Sequence, residues 1–464
     1  MPIAGDPVVK GAVTNSEMED RRECDVLVIG GGPAGSTIAG LLAQKRRHVV
    51  ILEKDRFPRF HIGESLLPLN LPFFEQLGVA DEVERIGVYK PGAEVISDEH
   101  GQAATFRFDR NPHLRIDHSY HVRRAEFDKL LLDNSRRLGA TVIEGTRVTE
   151  VEFGTDGRSK VIAVGSNGEP SVWFSRFLVD ASGRDTLLLR RLGLKRVDKR
   201  NNTAAVFGHF RNVPRQNGSA EGMITMHLFQ HGWFWMIPLP DQVMSVGVVG
   251  TRSFFRTRTE DLGSFFARAV AASPSVAKRM VNAQPISPLV ATGNYSYDSR
   301  HYAGDGYILI GDAAAFIDPL FSSGVMMAMS GAAVGAEAVH AWLDDRRLGG
   351  QLMRSYERRI PARTRFPVLA DLPDQYTGAP RHLYGVLRPL RHAQWAACDF
   401  GGRLLRETKA VVAAQTHTAC LWLSLPSLQA RRGPLNRGLT WGALIDRNGG
   451  RVYRFRVSGM LRTL

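Results

Sequence analysis

Cysteine is scarce in this chain, which has three cysteines among 464 residues. Cys24, Cys398 and Cys420 lie far apart and form no CxxC pair. A sparse, odd set of cysteines argues against a disulfide-stapled fold and against a zinc site. We therefore expect a protein of a reducing compartment that binds no metal.

Uninterrupted hydrophobic runs are also missing. The N-terminal stretch 1–23 is polar and acidic and has no apolar core, so it predicts a disordered leader over 1–22 rather than a secretory signal. The most apolar long stretch, 313–339, contains Asp318, Pro319 and several glycines, which argues against a membrane span. These absences predict a soluble, cytoplasmic protein.

Basic residues outnumber acidic ones, and nearly all of the excess lies in one part of the chain. The chain has 60 Lys+Arg and 46 Asp+Glu, a net charge of +14. Residues 341–464 alone carry 21 basic and 8 acidic residues, a net of +13, whereas residues 1–340 are nearly neutral at +1. A basic chain can bind nucleic acid or an acidic partner. No zinc-finger, helix-turn-helix or aromatic-basic ribonucleoprotein pattern supports nucleic acid, so we expect a docking partner instead.

The hydrophobic pattern predicts an α/β fold that begins with a βαβ unit. The apolar run 24–29 predicts a strand, 33–47 a helix and 48–52 a second strand. The other elements that the pattern predicts are a helix at 126–138, strands at 141–144 and 147–153, an antiparallel sheet within 203–249, and a strand at 307–310 that leads into an Ala/Gly-rich helix.

A glycine motif follows the first predicted strand directly. The sequence GGGPAG is a GxGxxG with Gly30, Gly32 and Gly35 in the fixed positions. The first glycine allows a tight turn, the second lets the backbone approach a pyrophosphate, and the third lets helix and strand pack closely. Glu53 closes the second strand 23 residues after Gly30, where a carboxylate binds the hydroxyl pair of a ribose. This context predicts a dinucleotide site that also includes Ala34.

A second nucleotide signal lies where the last predicted strand ends in Gly311-Asp312. A carboxylate here reaches the ribityl hydroxyls of a flavin, and the N-terminus of the following helix faces the flavin. An early GxGxxG and glutamate combined with a late Gly-Asp resembles the FAD module of aromatic hydroxylases and their relatives of the glutathione-reductase type. Arg123 and the segment 180–183 fit that module too, although Arg123 is also explained as a surface charge.

Three further segments carry a closer resemblance. The stretch 232–238 reads GWFWMIP and contains WxWxIP, and 318–325 reads DPLFSSGV. The stretch 61–68 reads HIGESLLP and is followed by GVYKPGA at 87–93. In order and spacing these segments resemble the flavin-dependent halogenases, and the resemblance covers about residues 24–335.

The resemblance implies a reaction and roles for four side chains. Reduced FAD reacts with O2 to give a C4a-hydroperoxide, and chloride or bromide attacks it to yield hypohalous acid, which halogenates an electron-rich ring. Trp233, Trp235 and Ile237 would form dry walls that exclude water and suppress side reactions. Lys90 would form a haloamine or hydrogen-bond the oxidant.

The same resemblance implies cofactor contacts and a partner. Gly63, Glu64 and Ser65 would contact the FAD, and the backbone N–H groups of Ser323 and Gly324 would hold the halide beside it. No second strand-GxGxxG-helix unit follows the first, so nicotinamide binds only transiently or not at all. A separate NAD(P)H-dependent flavin reductase would therefore supply the reduced FAD.

Two departures from the family concern the substrate. Tryptophan halogenases carry a glutamate just before their Ser-Thr-Gly, but Phe321 stands here, which argues against free tryptophan and for a phenol or pyrrole. Residues 341–464 match no usual C-terminal segment. We therefore divide the chain into a leader (1–22), an FAD-binding halogenase- or monooxygenase-like module with an interleaved antiparallel substrate sheet (23–340), and a mainly helical region that covers or extends the substrate site (341–464).

The sequence leaves the substrate's form and one alternative reaction open. The aromatic ring is either free or tethered to an acidic carrier protein, which the basic C-terminal region would steer into place. A monooxygenase or a lipid-saturating type of reductase uses the same FAD module without halogenation. The WxWxIP motif and Lys90 argue against that alternative.

Overall fold

The computed structural model describes residues 22–110, 116–197, 203–293, 296–316, 322–359, 442–445 and 451–454. The predicted leader up to residue 21, the substrate-related position Phe321 and most of the basic C-terminal region lie outside these ranges. The chain divides into two compact units, Met1–Lys409 and Ala410–Leu464. Within its described residues, the second unit contains a two-stranded antiparallel hairpin.

The strands are β1 (Arg22–Ile29), β2 (Val49–Glu53), β3 (Gly87–Lys90), β4 (Gly92–Ser97), β5 (Gln102–Arg107), β6 (Ser119–Val122), β7 (Thr141–Glu144), β8 (Thr146–Phe153), β9 (Ser159–Gly165), β10 (Pro170–Asp180), β11 (Lys195–Val197), β12 (Thr203–Arg211), β13 (Ile224–Phe229), β14 (Gly232–Leu239), β15 (Val243–Thr251), β16 (Gln284–Pro285), β17 (Val290–Gly293), β18 (Tyr297–Ser299), β19 (Ala303–Gly304), β20 (Tyr307–Leu309), β21 (Gly442–Ile445) and β22 (Arg451–Arg454). The helices are α1 (Pro33–Gln44), α2 (Leu71–Leu77), α3 (Ala80–Ile86), α4 (Arg124–Arg137), α5 (Leu187–Arg191), α6 (Arg252–Arg256), α7 (Leu262–Ala271), α8 (Pro274–Met280), α9 (Gly324–Asp344) and α10 (Arg346–Arg359).

The nucleotide-binding layer is a sheet whose parallel strands follow the order β20-β10-β1-β2-β7. Antiparallel β8, β9 and β19 extend it. All five residues of β2 are buried, as expected for a parallel strand covered on both faces. Helices α1, α4 and α9 contribute to the same hydrophobic core, so the first βαβ unit is anchored deep in the fold.

The second layer is a largely antiparallel sheet in the order β16-β12-β15-β14-β13-β4-β5. Its central strands β14 and β15 are nearly continuous in buried residues because both of their faces are covered. One face carries an apolar cluster around Trp233 and Trp235, and the other packs Phe234 and Met236 against α7 and α8. Alternation along β14 therefore places the two tryptophans on one side of the sheet.

The predicted fold class is confirmed, and most differences from the predicted elements concern where they begin and end. Helix α1 ends at Gln44 rather than at residue 47, and α4 begins at Arg124, two residues before its predicted start. The predicted boundary near residue 340 falls inside α9. No helix in the described part of the chain is long and apolar enough to cross a membrane.

The junction after β20 differs from the prediction. Gly311 and Asp312 do not open a long helix but form a single 3-10 turn that ends at Ala313, and α9 begins only at Gly324. Gly311 has φ +62°, a left-handed conformation that favours glycine and turns the chain sharply. Pro319 lies between the turn and the helix in sequence, and proline disrupts a helix interior.

Candidate active site

A cavity of about 770 Å³ opens where the nucleotide-binding layer faces the second sheet. It brings together most of the residues that the sequence predicted for cofactor and substrate: Gly30, Gly32, Ala34, Glu53, Gly63, Glu64, Ser65, Trp233, Trp235, Ile237, Gly311, Asp312, Ser323 and Gly324. Three predicted residues are not among the described residues that line it: Gly35, Lys90 and Arg123.

The glycine turn after β1 has no room for side chains at two positions. Gly30 has φ +97°, and a Cβ there would lie 2.5 Å from the carbonyl oxygen of Ala181. A Cβ on Gly35 would overlap the carbonyl oxygen of Gly30, so this glycine lets α1 pack against the turn. Gly32 is different, because the nearest atom to a Cβ there is Nη2 of Arg59 at 3.6 Å. The space at Gly32 therefore faces the cavity.

Glu53 is buried at the end of β2 and is held by two backbone amides. Its Oε2 accepts a hydrogen bond from the Gly31 N–H at 2.6 Å, and its Oε1 accepts one from the Asp55 N–H at 2.8 Å. These bonds tie the carboxylate to the glycine turn. A ribose hydroxyl pair at this wall would meet a fixed acceptor.

The acidic residue at the second nucleotide signal has an altered pKa. Burial raises the pKa of Asp312 to about 6, against the opposing effects of Arg124 and Arg184. Its backbone oxygen accepts a hydrogen bond from the Tyr297 hydroxyl at 2.7 Å, which holds the turn in place. Hydroxyl groups that hydrogen-bond the ionised carboxylate would offset its cost of burial.

Arg124, rather than its neighbour Arg123, lines the cavity. The Arg123 guanidinium donates to the backbone oxygen of Pro240 at 2.8 Å and to Asp241 at 3.0 Å, away from the described cavity lining. The two residues diverge because Arg123 is the extended N-cap of α4 and Arg124 is its first helical residue. Arg124 forms a bidentate pair with Asp128, at 2.7 and 3.0 Å.

Arg59 is a cavity residue that sequence reasoning missed. Its guanidinium lies 4.5 Å from the ring centre of Phe57 and 3.4 Å from Asp128 Oδ2. Its Nε is buried without a hydrogen-bond partner among the described residues. The nearest carboxylate oxygen to this Nε, Asp55 Oδ2, lies 3.6 Å away. A buried donor without a hydrogen bond is costly unless a ligand accepts from it, and the Nη2 of the same guanidinium lies beside the open space at Gly32. No local pattern in the sequence marks Arg59.

These features fit FAD. Among the glycines of the turn, Gly32 alone leaves open space, the Arg59 guanidinium lies beside that space, and a buried carboxylate stands at the neighbouring strand end. An anionic pyrophosphate at Gly32 would be within reach of the Arg59 guanidinium. Among the residues that the structure describes, no group of three or more His, Cys, Asp or Glu side chains could hold a metal ion.

The far wall of the cavity is apolar. Trp233, Trp235 and Ile237 line it and are each less than a tenth exposed. The two indole rings lie 5.9 Å apart, and Trp235 Nε1 donates to Ser245 Oγ at 3.2 Å. The only polar atom of the Trp235 side chain is thus turned to the sheet, and the surface toward the cavity is hydrophobic.

Lys90 is fully buried at the end of β3 and lies behind the cavity wall. Its Nζ donates to Ser65 Oγ and to the backbone oxygen of Leu66, both at 2.8 Å, and it lies 5.5 Å from the Phe108 ring centre. Ser65 itself lines the cavity. The lysine and the cavity are therefore separated by one serine side chain.

The loop before α9 brings its backbone to the cavity. Ser322 has φ +55°, which is strained for a residue with a side chain. Ser323 is the N-cap of α9, and its side chain makes no capping hydrogen bond. The first N–H groups of a helix lack partners within the helix and carry partial positive charge, so this end can accept an anion.

Comparison with known proteins identifies the family to which this site belongs. A family model described as "FAD binding domain" matches residues 23–365. The chain is 38% identical over 321 residues to a tryptophan 2-halogenase of Chondromyces crocatus, covering 68% of this chain and 60% of that protein. It is 34% identical over 336 residues to the 1H-pyrrole-2-carbonyl-(peptidyl-carrier protein) chlorinase of Pseudomonas fluorescens, covering 67% of this chain and 74% of that protein.

Solved structures agree with these relatives. The myxobacterial chondrochloren halogenase CndH, an FAD-dependent halogenase, superposes with a TM-score of 0.71 at 32% identity, covering 77% of this chain and 84% of that one. The flavin-dependent halogenase CmlS gives a TM-score of 0.69 at 28% identity, covering 85% and 78%. The chain is therefore an FAD-binding protein of the oxidoreductase class and belongs to the flavin-dependent halogenases.

Proposed function

We propose that the protein halogenates an electron-rich aromatic ring with chloride or bromide, using O2 and FAD that is supplied in the reduced form. One arrangement carries this proposal. The apolar wall of Trp233, Trp235 and Ile237 closes the cavity into which the nucleotide motif opens, and Lys90 stands directly behind the lining residue Ser65.

The tryptophan wall and Lys90 would have different roles in guiding an oxidant to the ring. When bound, reduced FAD would activate O2 by giving it two electrons, and the halide would give it two more and become hypohalous acid. The tryptophan wall would keep water away from this oxidant. Lys90, held by Ser65 and Leu66, would receive the oxidant through a hydrogen bond or as a haloamine and present it to the ring.

The halide would bind where α9 begins. Ser323 and Gly324 line the cavity, and the backbone N–H groups at the start of a helix carry partial positive charge that would attract an anion. Glu53, Arg59 and Asp312 would hold the ribose, pyrophosphate and ribityl parts of the FAD. A separate flavin reductase would deliver the reduced cofactor.

The substrate is proposed to be a phenol or pyrrole, free or tethered to a carrier protein. Phe321 replaces the glutamate of tryptophan halogenases, and one relative is named as a chlorinase of a carrier-bound pyrrole. The net charge of +13 on residues 341–464 would attract an acidic carrier. An indole is the second candidate, because another relative is named as a tryptophan 2-halogenase.

Mass spectrometry of reaction products tests the proposal. The protein is mixed with reduced FAD, O2 and chloride or bromide, together with a phenol, a carrier-bound pyrrole or tryptophan. Replacement of hydrogen by halogen in one of these supports the proposal and identifies the substrate class. Gain of oxygen or of two hydrogens instead would identify a monooxygenase or a reductase. The Lys90→Ala variant should bind FAD normally and form no halogenated product, and unchanged halogenation would refute the role of Lys90.

A further inference from the structure

Glu64 and His209 form a hydrogen-bonded pair at the edge of the cavity. Glu64 Oε1 lies 2.7 Å from His209 Nε2. Glu64 lines the cavity, and His209 stands on β12 in register with Ser245 of β15 and Ile237 of β14. His209 thus occupies the same row of the sheet as the cavity residue Ile237. The pair connects the second sheet to the segment that precedes Lys90.

The two ends of this pair differ in their access to water. The Glu64 side chain is 5% exposed and the His209 side chain is 18% exposed. Since a carboxylate only accepts, the hydrogen bond places the imidazole proton on Nε2 and a lone pair on Nδ1. Among the residues that the structure describes, none hydrogen-bonds that Nδ1. One end of the pair therefore faces the cavity and the other can exchange protons with solvent.

The charged groups around the pair are already engaged. Arg124 donates to the backbone oxygens of Ile62 and Gly63, next to Glu64, and its charge is matched by Asp128. Lys90 lies on the other side, bound to Ser65. On the His209 side, the Ser287 hydroxyl accepts from the backbone N–H of His209 at 3.0 Å, and the ring of Phe60 packs edge-on at 5.9 Å.

The second imidazole of the cavity cannot take the same role. Burial and the nearby Arg124 lower the pKa of His61 to about 4, and its Nδ1 donates to the backbone oxygen of Ile62 at 2.7 Å. His61 is therefore neutral at physiological pH and has little capacity to accept a proton. His209 differs in that its Nδ1 has no hydrogen-bond partner among the described residues, so this lone pair is open to a proton donor.

We propose that Glu64 and His209 form a proton relay between solvent and the flavin cavity. The proposal rests on the proposed function, because halogenation consumes a proton: FADH2, O2, halide, aromatic ring and one proton yield FAD, halogenated ring and two waters. In the relay His209 Nδ1 takes a proton from solvent, and Nε2 passes one to Glu64. Glu64 releases it into the cavity, and exchange with solvent restores the Nε2–H tautomer.

The first test uses the flavin-free protein and needs no turnover. In 15N spectra of protein labelled at histidine, the His209 signals are assigned by their absence in His209→Ala. They should show Nε2–H with an unprotonated Nδ1 in the wild type. Glu64→Gln, whose amide also donates, should shift the equilibrium toward the other tautomer. A wild-type His209 that is Nδ1–H and insensitive to Glu64→Gln would overturn the relay.

The second test is chemical rescue. Protein-bound reduced FAD is mixed with O2 and chloride, and the return of oxidised flavin absorbance is followed. We expect His209→Ala to slow this step by about a hundredfold or more, the usual range of acid–base effects. Added imidazole should restore the rate. Ser287→Ala removes the backbone contact of His209 but not its ring, and should neither slow the step nor respond to imidazole.

The outcomes separate the relay from the halogenation proposal. Loss of rate without imidazole rescue, at unchanged FAD affinity, would mean that His209 has only a structural role. Rescue in a protein that forms no halogenated product would support the relay and refute the proposed function. Product formation at the wild-type rate by His209→Ala would refute the relay alone.

Discussion

The indole of Trp235 lies over Gly247, its cross-strand neighbour on β15. A Cβ on Gly247 would overlap ring atoms Cζ2 and Cη2 of Trp235. The ring also reaches toward Phe207 on β12, at 5.8 Å between ring centres. The absence of a side chain at Gly247 is therefore what allows Trp235 to lie along the cavity wall.

A Gly247→Ala substitution should displace Trp235. Overpacking of this kind costs about 1–3 kcal/mol in free energy of unfolding, and the displaced ring should open the wall to water. Thermal unfolding and the halogenated product per reduced FAD consumed measure the two effects, and both should fall. Gly293→Ala is the matched control, because a Cβ there meets no atom of the described residues within 4 Å. If Gly247→Ala behaves like Gly293→Ala, the wall does not depend on this packing.

Arg59 and Arg123 make a matched pair for FAD affinity. Arg59→Ala removes a buried donor beside Gly32, so FAD affinity should fall by about ten- to a hundredfold, as expected for a hydrogen bond to a charged group. Affinity for riboflavin, which lacks phosphate, should hardly change. Arg123→Ala should leave both affinities intact, because its guanidinium is bound to Pro240 and Asp241. Titration of flavin fluorescence measures all four values, and a loss on Arg123→Ala would contradict the assignment.

Ser65→Ala tests how Lys90 is held. Losing one hydrogen bond to the buried Lys90 Nζ costs about 1.5–3 kcal/mol, so the protein should unfold at lower denaturant concentration. Halogenated product should fall more than flavin reoxidation, since the lysine would lose its orientation toward the cavity. Equal losses in both would indicate that Ser65 acts on the flavin and not on Lys90.

The raised pKa of Asp312 predicts a pH dependence of stability in the flavin-free protein. Its folded pKa of about 6 lies above the ordinary aspartate value of 3.8, so between these values the folded state binds more protons than the unfolded state. The Asp312 contribution to the free energy of unfolding therefore decreases as pH rises through this window. Asp312→Asn should stabilise the protein at pH 7, and the gain should shrink as pH falls toward 4. Urea unfolding at several pH values checks this, and a gain that is constant with pH would contradict it.

Local sequence patterns predicted the first βαβ unit correctly, because each of its elements is specified by residues that are neighbours in the sequence. A strand, a glycine turn and Glu53 at the next strand end are fixed by backbone geometry over a short segment. The same reasoning named Arg123 but not its neighbour Arg124, which lines the cavity, because the direction of each side chain depends on the backbone angles at the junction between β6 and α4. It also missed Arg59, which reaches Gly32 only through the folded chain.

The prediction of a helix directly after Gly311-Asp312 was wrong for a related reason. A run of small residues predicts helix, but the positive φ of Gly311 turns the chain, and α9 begins twelve positions after Asp312. Ser323 and Gly324 line the cavity although the helix does not start where it was predicted. They stand at the observed start of α9, with Ser323 as its N-cap and Gly324 as its first residue.

The sequence by itself determined that the chain binds a dinucleotide, resembles the flavin-dependent halogenases and carries its excess positive charge in residues 341–464. Sequence motifs are sufficient for these conclusions, because the geometry of a glycine turn or a strand end depends on only a few neighbouring residues. Only the tertiary structure decided that Lys90 lies behind Ser65, that Trp235 needs Gly247, and that His209 meets Glu64. These pairs are 25, 12 and 145 positions apart, and packing of separate elements, which no local pattern records, brings them together.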